Sequence, residues 1–441
     1  MKIAFIGGGS VQWTTMLVTD MALNKALAGA GLVLHDIDAE ALALMTRASR
    51  RVVEQLDGNL TVTASADRAE VLRGASFVIL CVSVGGLGAM RQDLAIPERY
   101  GIVHAVGDTV GPAGLARGLR FIPFAVQVAR EMEQLCPDAW LLNLTNPMTT
   151  ICRAVTRATT IRTVGLCHEV DLFRRHRLAP LFNVPPESID VEVAGINHLP
   201  ALIRFRLGDQ DGVPALRAWL KEHGPFEFVS DRAPQPHRDV FKDRLAVKLS
   251  LFEQLGVLFG AGDRHLAEFF PRFLSEAADR GARYGVLLTT IEHRAANAKA
   301  RREWVERFVN GEAAKFEHSA ETLVPVMAAL AGGPPGRFVV NVPNVGQIDN
   351  LPRDAVVECV GEVDALGVRP VAVGALPPAL YAAFAPHVAW QELVVEAALT
   401  GRRAPARAAM AIDPLVRDPA IVAPMLDELL SANAAFVQPA A

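Results

Sequence analysis

The chain is short of several things, and each shortage narrows what it can be. Charge of one sign is not in excess. The 44 Lys and Arg residues stand against 48 Asp and Glu, for a net charge of -4. That balance makes no electrostatic case for nucleic acid or an anionic membrane as partner. No apolar run is long enough to span a bilayer, and the most apolar stretch, about 77–84, runs into glycines. Cysteine is sparse and odd in number, five in all, at positions 81, 136, 152, 167 and 359. Most of these sit in strand or helix patterns, so reduced thiols in a cytoplasm are expected rather than a disulfide framework. No basic, apolar leader precedes the first strand, which fits the same expectation. Repeats and low-complexity tracts are missing, and only the Ala/Pro-rich end from about residue 431 is expected to fray. Tyrosine is rarest of all, with three residues and none between Tyr100 and Tyr284.

What is present is an ordinary globular composition. The chain has 441 residues, 51% hydrophobic and 21% charged, enough for two or three domains with ample core. Residues 2–6 read as a short apolar strand, followed by Gly7-Gly8-Gly9-Ser10 and a helical pattern over about 13–28. A strand, a glycine turn and a helix N-terminus let a backbone approach a pyrophosphate and offer it free N–H groups. The third glycine of the usual fingerprint is missing, so the motif is weak by itself. The second strand, 31–38, ends in Asp36-Ile37-Asp38. An acid there accepts the ribose hydroxyls of NAD and disfavours a 2'-phosphate. Asp36 is the first choice and Asp38 the competitor, the alternative role for Asp36 being a helix N-cap. A buried strand at 77–82 opens into Ser83-Val84-Gly85-Gly86, where such a sheet passes the nicotinamide ribose. The cofactor set is therefore Gly7, Gly9, Ser10, Asp36 and Ser83, on a Rossmann-like, doubly wound α/β sheet.

Further along, Arg91 is either a surface charge or a fork for substrate oxygens. A polar glycine loop, 107–114, precedes a long helix over about 115–135. The strand at 138–145 is stopped by Asn146-Pro147. A comparable Asn-Pro lies between cofactor and substrate in lactate and malate dehydrogenases, so Asn146 reads as a contact to both. Thr163 to Leu166 then lead into Cys167-His168-Glu169, a thiol, an imidazole and a carboxylate at one strand end. A core cysteine followed by a surface pair is the bland alternative. One more alternating strand, 189–194, ends in Gly195-Ile196-Asn197-His198. Two strand ends thus each present a metal-capable ligand, Cys167 and His198. Beyond residue 200 amphipathic helices dominate, with strands expected at 202–207, 338–340 and 355–360. The polar runs 262–268 and 341–348 are either loops or parts of the site. The chain is divided here into 1–190, a nucleotide unit, and 191–441, a mixed α/β unit for substrate, metal and oligomerisation.

The order of these motifs resembles glycoside hydrolase family 4 along nearly the whole chain. The matching pieces run from Ile6-Gly7-Gly8-Gly9-Ser10 through Gly107-Asp108-Thr109-Val110-Gly111-Pro112, Asn143 to Met148, Cys167-His168-Glu169-Val170 and Gly195 to His198, to Val342-Pro343-Asn344-Val345-Gly346 and Glu392 to Ala398. The resemblance implies an unusual glycosidase, since most glycosidases flank the bond with two carboxylates. It implies that NAD⁺ oxidises the sugar at C3, a base removes the C2 proton, the aglycone leaves from C1, water adds, and C3 is reduced again. It implies a divalent ion, commonly Mn²⁺, held by Cys167 and His198. A thiolate on Mn²⁺ is a soft-hard mismatch, so weak metal binding is expected. His168 matches the general acid of α-specific members. The C2 base is tyrosine in many members; with no tyrosine in the matching region, Asp263 takes that place. Cys-His-Glu-Val resembles the α-galacturonidase group, which implies short α-galacturonides as substrates. Neutral α-glucosides or α-galactosides, or α-glucuronides, are the alternatives within the family. A uronate needs a cation, for which Arg91, Arg264 and His265 are unranked candidates. A homodimer or homotetramer is also implied.

A plain NAD-dependent hydroxyacid dehydrogenase would explain the glycine turn, Asp36 and Asn146 equally well. It would not explain the pairing of Cys167 with His198, and it would produce net NADH. A non-enzymatic NAD sensor is a third reading, disfavoured by a complete set of acid, base and metal candidates.

Overall fold

The computed structural model describes residues 1–224 and 244–437. Its first half is a parallel sheet of β1 (Lys2–Ile6), β2 (Ala30–His35), β3 (Leu60–Ala64), β4 (Phe77–Leu80), β5 (Trp140–Asn143) and β6 (Arg162–Gly165), in the order 3-2-1-4-5-6. That is the doubly wound Rossmann arrangement. Alternate residues along one strand feed opposite cores. Ala4 and Ile6 join the cluster under the helix Gly111–Leu135, while Ile3 and Phe5 join the one under Ala39–Gln55. Burial on both faces explains why these strands read as continuous apolar runs.

The second half continues the same sheet instead of forming one of its own. Its strands are β7 (Ile189–Ile196), β8 (Leu199–Leu207), β9 (Gln210–Asp211), β10 (Leu258–Phe259), β11 (Gly336–Pro343), β12 (Val356–Asp364) and β13 (Gly367–Pro370). Antiparallel pairing carries the sheet from β6 through β11, β12, β7 and β8 to β10. The junction is narrow: β11 meets β6 only at Asn341 opposite Gly165. From there β11 and β12 extend past the carboxyl ends of the parallel strands. Gly165, Asn341, Glu358 and Gly195 lie in one row across four strands. The rim of the nucleotide half therefore faces a wall built by the C-terminal half.

Three local differences from the sequence reading have plain causes. The long helix begins at Gly111, inside the glycine loop, because Pro112 in its first turn supplies a helical φ and needs no N–H partner. The run 262–268 is mostly helix, Asp263–Phe269, not loop. The C-terminal strands are longer than expected, since cross-strand partners extend pairing beyond what residue propensity specifies. No helix among the described residues is long and apolar enough to cross a membrane.

Candidate active site

The glycine turn closes tightly on the sheet. Gly7 has φ +94°, and a Cβ there would lie 1.9 Å from the Cys81 carbonyl oxygen. The amides of Gly7 and Gly8 donate to His35 O at 2.9 and 2.8 Å, and Gly9 N donates to Asp36 Oδ2 at 2.9 Å. Asp36 also accepts from Asp38 N at 3.1 Å. The N-cap role falls to Asp38, which accepts from Ala41 N at the start of Ala39–Gln55. Asp36 is thus left at the strand end beside the turn. Ser10 accepts from Trp13 N at 3.3 Å, and Ser83 is exposed just past β4.

Past β6, Cys167 is half-buried, and its thiol is pushed well above its ordinary value by burial and by the charges of Glu358 and Glu169. His168 occupies the N-cap position of the short helix Glu169–Phe173, and its side chain turns Nδ1 to Glu321 Oε1 at 2.6 Å instead of capping the helix. Burial works against protonation of this imidazole, but the hydrogen bond and charge of Glu321, with Glu169, outweigh it and raise the pKa. Trp13 lies beside the ring, with centroids 6.1 Å apart. Glu169 accepts Gly262 N–H at 3.0 Å and stands 3.5 Å from His265 Nε2. Burial would raise its pKa, yet His265, His198 and that N–H hold it below the usual range.

The densest group lies next to this pair. Ligand atoms of Asp108, His198 and His265 all fall within 4.8 Å of one another. His198 occupies a two-residue hairpin between β7 and β8, where Ile196 pairs with Leu199, and it holds φ +65°. Such tight hairpins need positive φ and favour glycine or asparagine. A histidine there stores roughly 1–2 kcal/mol of backbone strain, the kind of outlier that gathers at functional sites. The rings of His198 and His265 stack at 3.6 Å. Thr109 Oγ1 is 2.6 Å from His198 Nδ1, which leaves Nε2 for another partner. Burial, and then His265, push the His198 pKa down to about 4, so the ring is neutral at pH 7. Burial would raise Asp108, but His265, His198, Arg117 and Arg294 hold it far below the carboxylate range. The loop carrying Asp108 is fixed from below: Glu268 Oε1 accepts Val106 N–H and Gly107 N–H at 2.8 Å each, and Asp413 accepts Gly111 N–H.

The remaining sequence candidates are placed as follows. The thiol of Cys167 stands outside the Asp108–His198–His265 group. Asp263 is buried and its two oxygens accept Val247 N–H and Lys248 N–H at 3.1 and 2.9 Å, capping Ala246–Leu255. Asn146 receives Arg117 Nε–H on its carbonyl at 2.9 Å, and its side-chain Oδ1 is buried without a partner. Arg91 lies on the surface in an ion pair with Glu292 at 2.7 Å. Arg264 gives Nε–H to Leu287 O at 3.0 Å and a second N–H to Ala105 O. The sequence reading missed Glu321 and Arg294, saw Asp108 only as part of a glycine loop, and took His265 only as a possible cation. Nothing local marks Glu321; a carboxylate inside a glycine loop and a histidine two residues from Asp263 were the available signals for the other two.

A Rossmann sheet that gathers three carboxylates, three imidazoles and a half-buried thiol beside its rim has the form of an enzyme of the dinucleotide-fold class. Comparison with known proteins narrows this. The model for family 4 glycosyl hydrolases matches residues 2–178, and that for the family 4 C-terminal domain matches 193–416. The chain belongs to glycosyl hydrolase family 4 and is a glycosidase. It is 36% identical to an alpha-galacturonidase of Thermoanaerobacterium saccharolyticum over 94% of this chain and 92% of that one. The crystal structure of Bacillus subtilis lplD superposes with a TM-score of 0.90 at 31% identity, covering 98% of this chain and 99% of that one. A 6-phospho-alpha-glucosidase from gut microorganisms, solved in complex with NAD and Mn²⁺, shares the fold at a TM-score of 0.85 and 23% identity, covering 100% and 99%.

Proposed function

We propose that the protein is an exo-acting α-glycosidase that releases galacturonate from short α-galacturonides. The observation that carries the reading is the run Cys167-His168-Glu169-Val170 at the site of a chain so similar in length and sequence to an alpha-galacturonidase. NAD suits the turn at Gly7, Gly9 and Ser10, with Asp36 as the candidate for the ribose hydroxyls and Ser83 for the nicotinamide end. A divalent ion suits Asp108, His198 and His265, whose oxygen and nitrogen donors match Mn²⁺ better than a thiolate does. Cys167 is a further candidate ligand, but it would have to ionise beside Glu358 and Glu169, which oppose it. The buried, unpartnered Nδ1 of His265 and Oδ1 of Asn146 fit a site completed by ion and sugar. When bound, NAD⁺ would take and return the hydride at C3, and the ion would draw charge from the C2 and C3 oxygens.

The chain's own residues supply the proton handling. Glu321 holds Nδ1 of His168, so Nε2 faces away from it and can hand a proton to the leaving aglycone oxygen. Asp263 is the candidate base for the C2 proton on the family resemblance alone, since its carboxylate caps Ala246–Leu255 and residues two apart on a helix face different ways, and Asn146 orients the C2/C3 region. A cytoplasmic location, a homodimer or homotetramer, and the division into units 1–190 and 191–441 belong to the same proposal.

The test is hydrolysis of aryl α-D-galacturonide, glucuronide, galactoside and glucoside with Mn²⁺, NAD⁺ and a thiol reductant, following both aglycone and NADH. Aglycone release from the galacturonide, with no NADH build-up and loss of activity on chelation, is expected. Preference for a neutral glycoside would overturn the substrate and keep the mechanism. Stoichiometric NADH without aglycone would mean a hydroxyacid dehydrogenase.

A further inference from the structure

The end of the chain comes back to the loop that leaves β4. Composition predicts fraying from about residue 431, yet the stretch 433–437 is held in place. The helix Val422–Ala432 is joined to Gly86–Arg99 through Glu428, which accepts from Tyr100 Oη at 2.5 Å and from Arg99. Directly after that helix, Asn433 is buried, and its carbonyl accepts the N–H groups of Phe436 and Val437 at 2.9 and 3.1 Å. The Asn433 Oδ1 accepts from Arg120. The Arg120 guanidinium is buried too. It forks onto Asp93 at 3.0 and 2.6 Å and gives Nε–H to Val84 O at 3.0 Å. One side chain therefore joins the C-terminal end to the backbone just past Ser83.

That stretch of backbone needs holding. Gly85 and Gly86 have φ +78° and +56°, and glycines lose the most conformational freedom when a loop is fixed. Phe436 supplies a second restraint. A Cβ on Gly85 would lie 3.2 Å from Phe436 Cε2 and 3.3 Å from Cζ, so the ring sits against the glycine where a side chain would begin. Arg120 grips the loop from the core, and Phe436 grips it from the surface, where the ring stays 39% exposed. Ser83 is exposed at the carboxyl end of β4, the side of a doubly wound sheet on which ligands bind. A loop already ordered there lowers the entropy cost of binding. A cofactor reoxidised within each turnover need not leave, so fixing this loop does not slow the cycle.

We propose that residues 433–437 position the cofactor loop: Asn433, acting through Arg120, and Phe436 hold residues 83–86 in the form that receives the nicotinamide half of NAD⁺. The assignment rests on the cofactor reading above. Full-length wild type, F436A and N433A are titrated by calorimetry with NAD⁺ and with ADP, which is NAD⁺ without its nicotinamide riboside. Both variants are expected to bind NAD⁺ roughly 3- to 10-fold more weakly, the worth of ordering one short segment, and to bind ADP as wild type does. A merely structural role would not separate the two ligands. Unchanged NAD⁺ affinity in F436A overturns the assignment. So do equal losses for NAD⁺ and ADP in both variants, which would mean a general loosening of the fold. If N433A does not fold, F436A carries the test, since its ring already lies partly in water. A wild type that binds neither ligand overturns the cofactor reading itself, a result visible before any variant is made.

Discussion

Substitution of Gly7 by alanine tests whether the glycine turn is set by a steric requirement of the sheet. The backbone there has φ +94°, and the new Cβ would fall 1.9 Å from Cys81 O and 2.8 Å from Cys81 C. The backbone conformation alone costs about 1–3 kcal/mol for a residue with a side chain. Relieving the contact with a strand-end carbonyl adds about 1–3 kcal/mol, as for other overpacked sites. The sum is about 2–6 kcal/mol of folding stability. Gly74 supplies the control: its φ is +67°, but nothing lies within 4 Å of a Cβ, so G74A costs only about 1–2 kcal/mol. Any shift that relieves G7A also displaces the turn from its close approach to the cofactor and disturbs the Gly9 N–H bond that holds Asp36, so NAD⁺ affinity should fall about 10- to 100-fold. G74A should bind NAD⁺ as wild type does. Urea unfolding and calorimetric titration with NAD⁺ give both quantities. Equal stability losses for the two variants, with equal NAD⁺ affinity, would refute the steric account.

Two predictions concern protons. In E321Q the Nδ1 partner of His168 is kept but its charge is lost, so the imidazole gives up its proton at lower pH. If His168 is the acid, the alkaline limb of kcat/KM moves to lower pH, and a limb that stays in place would remove His168 from that role. His198 and His387 are both held neutral down to about 4, chiefly by burial. Once unfolded they take up protons near their ordinary 6.5, so between about 6.5 and 4 the unfolded chain binds more protons than the folded one. Stability of the metal-free protein should therefore fall as pH drops through that window. Thermal melts across it should show a shallower fall for H387Q, and an identical slope would refute the assignment.

Much of the nucleotide half was legible in the chain because its signals are local. Apolar runs of four to six residues, glycines at a strand end and an acid after the second strand lie within a few residues of one another, and the strands form where those patterns place them. Cys167-His168-Glu169 and His198 were found at strand ends for the same reason. The helix over Asp263–Phe269 and the helical start at Gly111 were less visible, since glycines and polar side chains dominate both stretches.

What the sequence determined by itself is the Rossmann order of the first six strands, the two chemically active strand ends and the family. Only the tertiary structure decided which side chains share the site. Asp108, His198 and His265 come from three separate segments, and Glu321 reaches His168 across more than 150 positions of chain. Their meeting depends on register: Asn341 against Gly165, and Glu358 against both Asn341 and Gly195. A one-residue slip in either pairing would turn every side chain of the strand to the other face. Local patterning specifies each strand's faces, but long-range pairing is what sets one strand end beside another.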